Sequence, residues 1–143
     1  MYFCIIIHKV IIKSKLISLL STKGIGKQEE LLNNLIIDAI QDIKGKNIVK
    51  IDLRSLGDAP TEYFIICEGD SSTQIRAISD NVQRRLKTEM GISPNHTEGV
   101  DGSKWVLVDY FQTVVHVFYP ETREFYDIEE LWGDAKITTY ENL

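Results

Sequence analysis

The chain has 143 residues, enough for one ordinary domain and too few for two separate hydrophobic cores. Its hydrophobic fraction of 43% and charged fraction of 26% are those of a soluble globular protein. Two cysteines exclude a disulfide framework, and the three histidines have no metal-ligand spacing, so we expect neither a metal nor a cofactor.

The formal net charge of −5 is unevenly distributed. Residues 1–23 hold four of the basic residues and no acid, so residues 24–143 carry 12 basic and 21 acidic groups, a net charge of −9. Nucleic-acid phosphates repel such a body, so we do not expect direct sequence-specific nucleic-acid binding. A basic protein surface is the better electrostatic partner.

Residues 1–23 are apolar, but the uncharged run 2–7 is far shorter than the ~20 residues that span a bilayer. The order of charge and apolar residues is wrong for a secretory signal. A mitochondrial transit peptide stays open because acids are absent, although arginine is absent too. We expect a cytoplasmic protein with no membrane partner, in which residues 1–23 are an extension; an extra helix or edge strand is the alternative.

The domain is predicted to span residues 24–134. Apolar residues at three- and four-residue steps predict an amphipathic helix over residues 28–43. Partial alternation predicts a strand over residues 47–53. Residues 63–67 are continuously apolar, which favours a strand covered on both faces and makes Cys67 a buried thiol.

A second helix is predicted to open at Ser71, because Gln74 three residues later completes a capping-box pattern. Its buried stripe ends at Met90, and a long connection follows. Residues 105–110 and 114–119 then form a predicted hairpin.

Beyond the hairpin, residues 121–131 predict a short acidic helix, and residues 135–143 a flexible polar tail. This order of elements predicts an α/β (α+β) fold with a single mixed β-sheet flanked by helices.

The turn at residues 69–72 precedes a helix, where backbone N–H groups favour anions. Neither a glycine-rich loop nor a Gly-Lys-Ser/Thr pair occurs there, so a plain helix cap is the preferred interpretation. A nucleotidyltransferase would also need an Asp-x-Asp pair for two magnesium ions, and none occurs. We therefore do not expect an enzyme, and no catalytic residue is assigned.

Side chains of the hairpin are the other candidates. His116 is expected to be structural, with a hydrogen bond to Asp109 if the two share a sheet face. Trp105 starts a strand beside an acidic loop, so we expect it to be half buried, with core packing and an interface role equally open. Trp132 is expected to lie in the core.

Several segments together resemble the ribosomal silencing factor (iojap-like) family. The resemblance covers residues 42–132 and rests on DAPTEYFIICEGDSS at 58–72, Glu-Gly at 98–99, WVLVDY at 105–110, VHVF at 115–118 and REFYDIEELW at 123–132. Their order and spacing match the family's Glu-Gly…Trp-x-x-x-Asp…Val-His-x-Phe signature. Residues 1–23 have no counterpart in it.

The resemblance implies a nucleotidyltransferase-like fold without the catalytic carboxylates. It also implies a translational repressor that binds the large ribosomal subunit through its fourteenth protein and blocks association with the small subunit. A homodimer is implied as well. Assembly of the large subunit and residual nucleotide binding at residues 69–72 are the competing functions.

Carried over by position, the resemblance assigns the partner-binding surface to signature residues of the hairpin and the loop before it. Trp105 and Phe118 would be apolar anchors, and His116 would fix the hairpin geometry. Glu98 and Asp109 would pair with Lys or Arg of the partner. The weaker candidates are Glu68 and Asp70.

Overall fold

The computed structural model describes residues 26–143, so the extension predicted for residues 1–23 lies outside the described residues. The described residues form four helices and six strands. In order these are α1 (Gly26–Asp42), β1 (Lys46–Asp52), β2 (Tyr63–Glu68), α2 (Ser72–Met90), β3 (His96–Glu98), β4 (Trp105–Asp109), β5 (Thr113–Phe118), α3 (Pro120–Tyr126), α4 (Ile128–Leu131) and β6 (Lys136–Thr139).

The strands form one six-stranded sheet in the order β3-β4-β5-β2-β1-β6. β2 and β5 are parallel, whereas every other neighbouring pair is antiparallel. The single mixed sheet with flanking helices is therefore confirmed. Its likeness to nucleotidyltransferases stays a prediction.

Two hydrophobic clusters fill the two faces of the sheet. α1 and α2 cover one face, where Cys67 is fully buried and burial raises the pKa of its thiol to about 12. The opposite face contains Trp105 and Phe118 and is covered by Ile128 and by partly buried residues such as Trp132. The predicted buried thiol is confirmed, and the predicted core position of Trp132 is confirmed in part, because its side chain packs against the core but is only partly buried.

Two strands lie where the sequence predicted none. β3, a three-residue edge strand, occupies part of the connection after α2 and pairs with β4. β6 pairs antiparallel with β1, and the Tyr140 amide donates to the Ile48 carbonyl. The flexible tail predicted for residues 135–143 is therefore wrong for this segment, because backbone pairing along the edge of β1 holds it.

The predicted acidic helix is divided in two. Asp127 adopts a left-handed conformation with φ of 43°, which ends α3 and starts α4. Pro120 lies in the first turn of α3, a position where its missing N–H leaves no helical hydrogen bond unmade. The break turns Ile128 into the core and leaves Phe125 exposed.

The capping pattern at α2 is confirmed in part. The Ser71 hydroxyl accepts from the Gln74 amide at 3.1 Å, as predicted. The Gln74 side chain, however, accepts from the amide of Asp70 at 2.6 Å. No helix among residues 26–143 is long and apolar enough to cross a bilayer.

Candidate protein-binding groove

Trp105 stands at the start of β4 and directly opposite Phe118 on β5. Its indole stacks on the Phe118 ring with centroids 4.9 Å apart, and it contacts Tyr126 of α3 at 5.0 Å. It is only 8% exposed, so the expected half-burial is wrong. The two ring contacts explain why, because α3 folds back over the hairpin.

His116 lies beside Trp105 on the same sheet face. The Trp105 Nε1–H donates a hydrogen bond of 3.0 Å to His116 Nδ1. Since Nδ1 accepts, the neutral ring carries its proton on Nε2. Burial lowers the pKa of His116 to about 3, so the ring is uncharged at neutral pH. The hydrogen bond considered between His116 and Asp109 is therefore replaced by one to Trp105.

Asp109 ends β4 and stabilises the hairpin turn. Its Oδ1 accepts from the Phe111 amide at 2.8 Å, and Phe111 adopts a positive φ of 71°. Asp109 is 1% exposed and Phe118 is fully buried. In this conformation neither side chain is accessible to a binding partner. Asp109 and Phe118 therefore support the surface from below, in place of the ion pair and the apolar anchor expected of them.

Glu98 was expected in the loop before the hairpin but lies on β3. Its carboxylate is 2.6 Å from His96 Nε2 and its side chain is 19% exposed. The strand was missed because His-Thr-Glu is polar and too short for a periodic pattern.

The weaker candidates Glu68 and Asp70 are engaged within the chain. Glu68 accepts from Arg123 Nη1 at 3.2 Å and from Asn47 Nδ2 at 3.0 Å. Asp70 forms an exposed ion pair of 2.8 Å with Lys46. Both acids therefore lie beside the strand ends, as expected, but with partners of their own.

Arg123 is a structural residue that the sequence analysis missed. Besides Glu68, it pairs with Glu129 at 2.5 Å and donates to the Asn47 carbonyl at 2.7 Å. The side chain is 10% exposed, and it ties α3 and α4 to the ends of β1 and β2. Arg123 lies in the REFYDIEELW segment that resembles the family, and this position was the one feature of the sequence that could have pointed to it.

Several backbone donors in and after the turn at residues 69–72 have acceptors within the chain. The Gly69 amide donates to the Phe118 carbonyl, and the Asp70 amide donates to the Gln74 side chain. The Ile75 amide returns to the Ser71 carbonyl. These bonds favour the plain cap over a phosphate site, because donors that would meet an anion already have acceptors.

An open groove of about 660 Å³ lies over Trp105, between α3 and the loop that joins β3 to β4. Gly99, Gly102, Lys104, Trp105, Glu121, Thr122, Phe125 and Tyr126 line it. Phe125 is 80% exposed, and its ring meets Tyr126 edge-on at 5.0 Å. An aromatic side chain left so exposed beside an aromatic floor is typical of a surface that a partner covers.

The surroundings of Phe125 are acidic. Exposed carboxylates at Glu121, Glu124, Asp127 and Glu130 follow α3 and α4. The one arginine of this segment, Arg123, is buried and already paired. The groove lining itself carries one exposed cation, Lys104, and one exposed anion, Glu121, and the excess of carboxylates lies beside it on α3 and α4. An apolar centre next to two acidic helices suits a basic protein.

Comparisons with known proteins agree on one family. A sequence model described as "Ribosomal silencing factor during starvation" matches residues 27–143. The ribosomal silencing factor RsfS of Chromobacterium violaceum is 42% identical over 105 residues, which cover 73% of this chain and 84% of that protein. A crystal structure of a protein from the same organism is similar with a TM-score of 0.69 and 41% identity, covering 73% of this chain and 85% of that one.

A mouse protein is a more distant relative. It is called "Mitochondrial assembly of ribosomal large subunit protein 1" and is 35% identical over 74 residues. These cover 50% of this chain and 32% of the mouse protein.

Proposed function

Because the chain belongs to the ribosomal silencing factor family, we propose that it binds the large ribosomal subunit and blocks its association with the small subunit. It would thereby repress translation. The partner within the large subunit would be its fourteenth protein.

The observation that carries this proposal is the groove around Phe125. Its apolar centre provides area that gains free energy when a partner removes it from water. The exposed carboxylates of α3 and α4 favour a partner rich in Lys and Arg. A basic ribosomal protein has the matching charge, and its rRNA surroundings would be kept at a distance by the same carboxylates.

Each candidate residue then has a role. Phe125 is the exposed anchor and Trp105 the floor beneath it. His116 and Phe118 hold the Trp105 ring from below. Asp109 keeps the hairpin turn in shape, and Glu98 lies on β3 just before the loop that forms one wall of the groove. Glu68 and Asp70 would contribute more weakly, because Arg123 and Lys46 already pair with them.

We infer that the protein acts by occupying a surface and not by catalysis. Among residues 26–143 no three His, Cys, Asp or Glu side chains cluster as metal ligands would. In the turn at residues 69–72, which residual nucleotide binding would need, the amides of Gly69 and Asp70 already donate to acceptors within the chain. Calorimetric titration with ATP and magnesium should therefore give no binding heat.

The proposal is tested with the full chain and purified ribosomal subunits. We expect the chain to co-sediment with large subunits and to reduce the yield of joined ribosomes in a concentration-dependent way. Co-sedimentation with small subunits alone, or with neither subunit, would contradict it. As a control, the chain is incubated with ribosomes whose subunits are already joined. Because the face between the subunits is covered there, we expect no binding and no separation of the subunits.

A second candidate function is assembly of the large subunit. The name of the mouse relative favours it, and the same groove would serve. A deletion strain that accumulates immature large subunits during growth would support assembly. A strain with mature subunits but excess joined ribosomes under starvation would support silencing.

Two further properties stay predictions that follow from the ribosomal partner and the family. The protein would work in the cytoplasm, and it would form a homodimer when free. Sedimentation equilibrium of the full chain measures the second, with a mass of twice 16.4 kDa expected.

A further inference from the structure

We propose that Arg76 is a positioning residue of the groove: it holds the loop of residues 99–104, which forms one wall, in the shape that receives the partner. The inference rests on the proposed function of the groove. Its first half, the holding of the loop, is measurable without any ribosome.

The contacts converge on Ser103. Arg76 Nε donates to the Ser103 hydroxyl at 2.6 Å, and Nη2 donates to the Asp101 carbonyl at 3.2 Å. The Ser103 hydroxyl in turn donates to the Val100 carbonyl at 2.6 Å, and its amide donates to the Gly99 carbonyl at 3.0 Å. Ser103 is 1% exposed, so the network has a buried centre within an otherwise exposed loop.

At the end of the loop the Tyr119 amide also donates to the Lys104 carbonyl at 2.7 Å, so the part that depends on the Arg76 network is residues 99–103. Gly99 and Ser103 both adopt positive φ, of 83° and 49°, and the latter is unfavourable for a residue with a side chain. Val100 is 40% exposed, so hydrophobic packing contributes little there. A short segment of this kind keeps one conformation only where its polar contacts impose it.

Arg76 reaches this loop from α2, on the far face of the sheet from the groove floor. α2 is anchored in the first hydrophobic cluster through fully buried residues such as Ile75 and Ile78. The Arg76 guanidinium therefore connects a rigid helix to a loop that has little hydrophobic packing of its own. Fixing the wall before the partner arrives removes an ordering cost from association.

A purely electrostatic role for Arg76 predicts the opposite effect on binding. A positive charge beside an acidic surface opposes a basic partner, so its removal should tighten the complex. Loss of the contacts to Ser103 and Asp101 should weaken it. The sign of the change therefore separates the two roles.

The test compares Arg76→Gln and Arg76→Lys with Lys87→Gln in the full chain. Lys87 is exposed on the same helix, so its substitution repeats the charge change away from the loop. Amide hydrogen exchange reports on the loop, and affinity for purified large subunits reports on the groove. Chemical denaturation checks that global stability is retained.

We expect both Arg76 variants to exchange the Ser103 amide about tenfold faster while core amides of α2 stay protected. Affinity for large subunits should fall by about three- to tenfold, as loss of preorganisation worth about 1 kcal/mol requires. Lys87→Gln should change neither quantity.

Unchanged exchange at Ser103 would overturn the holding of the loop. Faster exchange with unchanged or tighter binding would overturn the positioning role. If the wild-type chain binds no large subunits, both the proposed function and the positioning role of Arg76 are wrong. The exchange rates still decide whether Arg76 holds the loop.

Discussion

Trp105 and His116 are joined across the β4–β5 hairpin by a hydrogen bond of 3.0 Å from the indole Nε1–H to the imidazole Nδ1. The bond fixes the Trp105 ring beneath the groove and the tautomer of His116 at once. Because both side chains are buried, neither can exchange its partner for water without opening the core. The floor of the groove is thus part of the hydrophobic core.

A double-mutant cycle measures this bond. Trp105→Phe leaves His116 Nδ1 buried without a donor, and we expect it to lower the free energy of unfolding by about 1–3 kcal/mol. His116→Leu also destabilises, but the double variant should lose less than the sum, with a coupling of about 0.5–3 kcal/mol. Trp132→Phe provides the control cycle, since Trp132 Nε1 has no hydrogen-bond partner within residues 26–143. Additive losses for Trp105 and His116 would contradict the bond.

The burial of His116 predicts a pH dependence of stability. The pKa is about 3 in the folded chain against 6.5 for the exposed side chain, so the unfolded state binds the proton first. The contribution of the buried, neutral His116 ring to the free energy of unfolding is therefore complete above pH 6.5 and is lost as the pH falls toward 3. Wild-type unfolding free energy should decline more steeply than that of His116→Leu, by up to about 1.4 kcal/mol per pH unit. Parallel pH profiles of the two proteins in urea denaturation would refute this.

Arg123 should matter far more than exposed arginines. Arg123→Met leaves Glu68 and Glu129 without their cation and removes a donor from the Asn47 carbonyl, so we expect a loss of about 2–4 kcal/mol. Arg54→Gln is the control, because the Arg54 side chain is itself 54% exposed, so loss of its pair with Asp52 should cost less than about 1 kcal/mol. Equal losses of the two variants in denaturant titrations would contradict a buried role for Arg123.

The groove wall gives a matched pair of glycine substitutions. A Cβ on Gly99 would overlap the Trp105 carbonyl oxygen, and the φ of 83° disfavours a side chain in any case. Gly99→Ala should therefore cost about 2 kcal/mol or more. Gly102→Ala, where a Cβ meets nothing within 4 Å, should stay within about 0.5 kcal/mol in the same thermal or chemical unfolding measurement. A larger loss of stability for Gly102→Ala than for Gly99→Ala would show that the loop has a different shape.

The main elements of the fold were predictable because each has a strong local pattern. The helix α2 ends at Met90 and is capped by Gly91 with φ of 68°, a conformation that glycine allows. The strand β2 is a continuous apolar run up to its last residue. β3 and β6 are different. Both are short and polar, and they are strands because β4 and β1 offer them an unpaired edge.

The candidate site was predictable only in part. Trp105, His116 and Phe118 do meet in space, whereas Asp109 lies at the other end of the hairpin. Sequence alone could not show that Trp105 finds its acceptor on the neighbouring strand. Nor could it show that a left-handed Asp127 breaks the last helix and sends Phe125 outward. We therefore propose Phe125, on the helix that covers the hairpin, as the exposed anchor in place of the buried hairpin side chains.

Binding of the full chain to purified large ribosomal subunits, compared between Phe125→Ala and Leu131→Ala, tests the central claim most directly. Both side chains are exposed, at 80% and 59%, so both variants should retain wild-type stability. Of the two, only Phe125 lines the groove. We predict that Phe125→Ala weakens binding by about thirtyfold, as a hot-spot residue worth about 2 kcal/mol would, while Leu131→Ala stays within about twofold. Equal affinities of the two variants, or a larger loss for Leu131→Ala, would contradict the groove as the ribosome-binding surface.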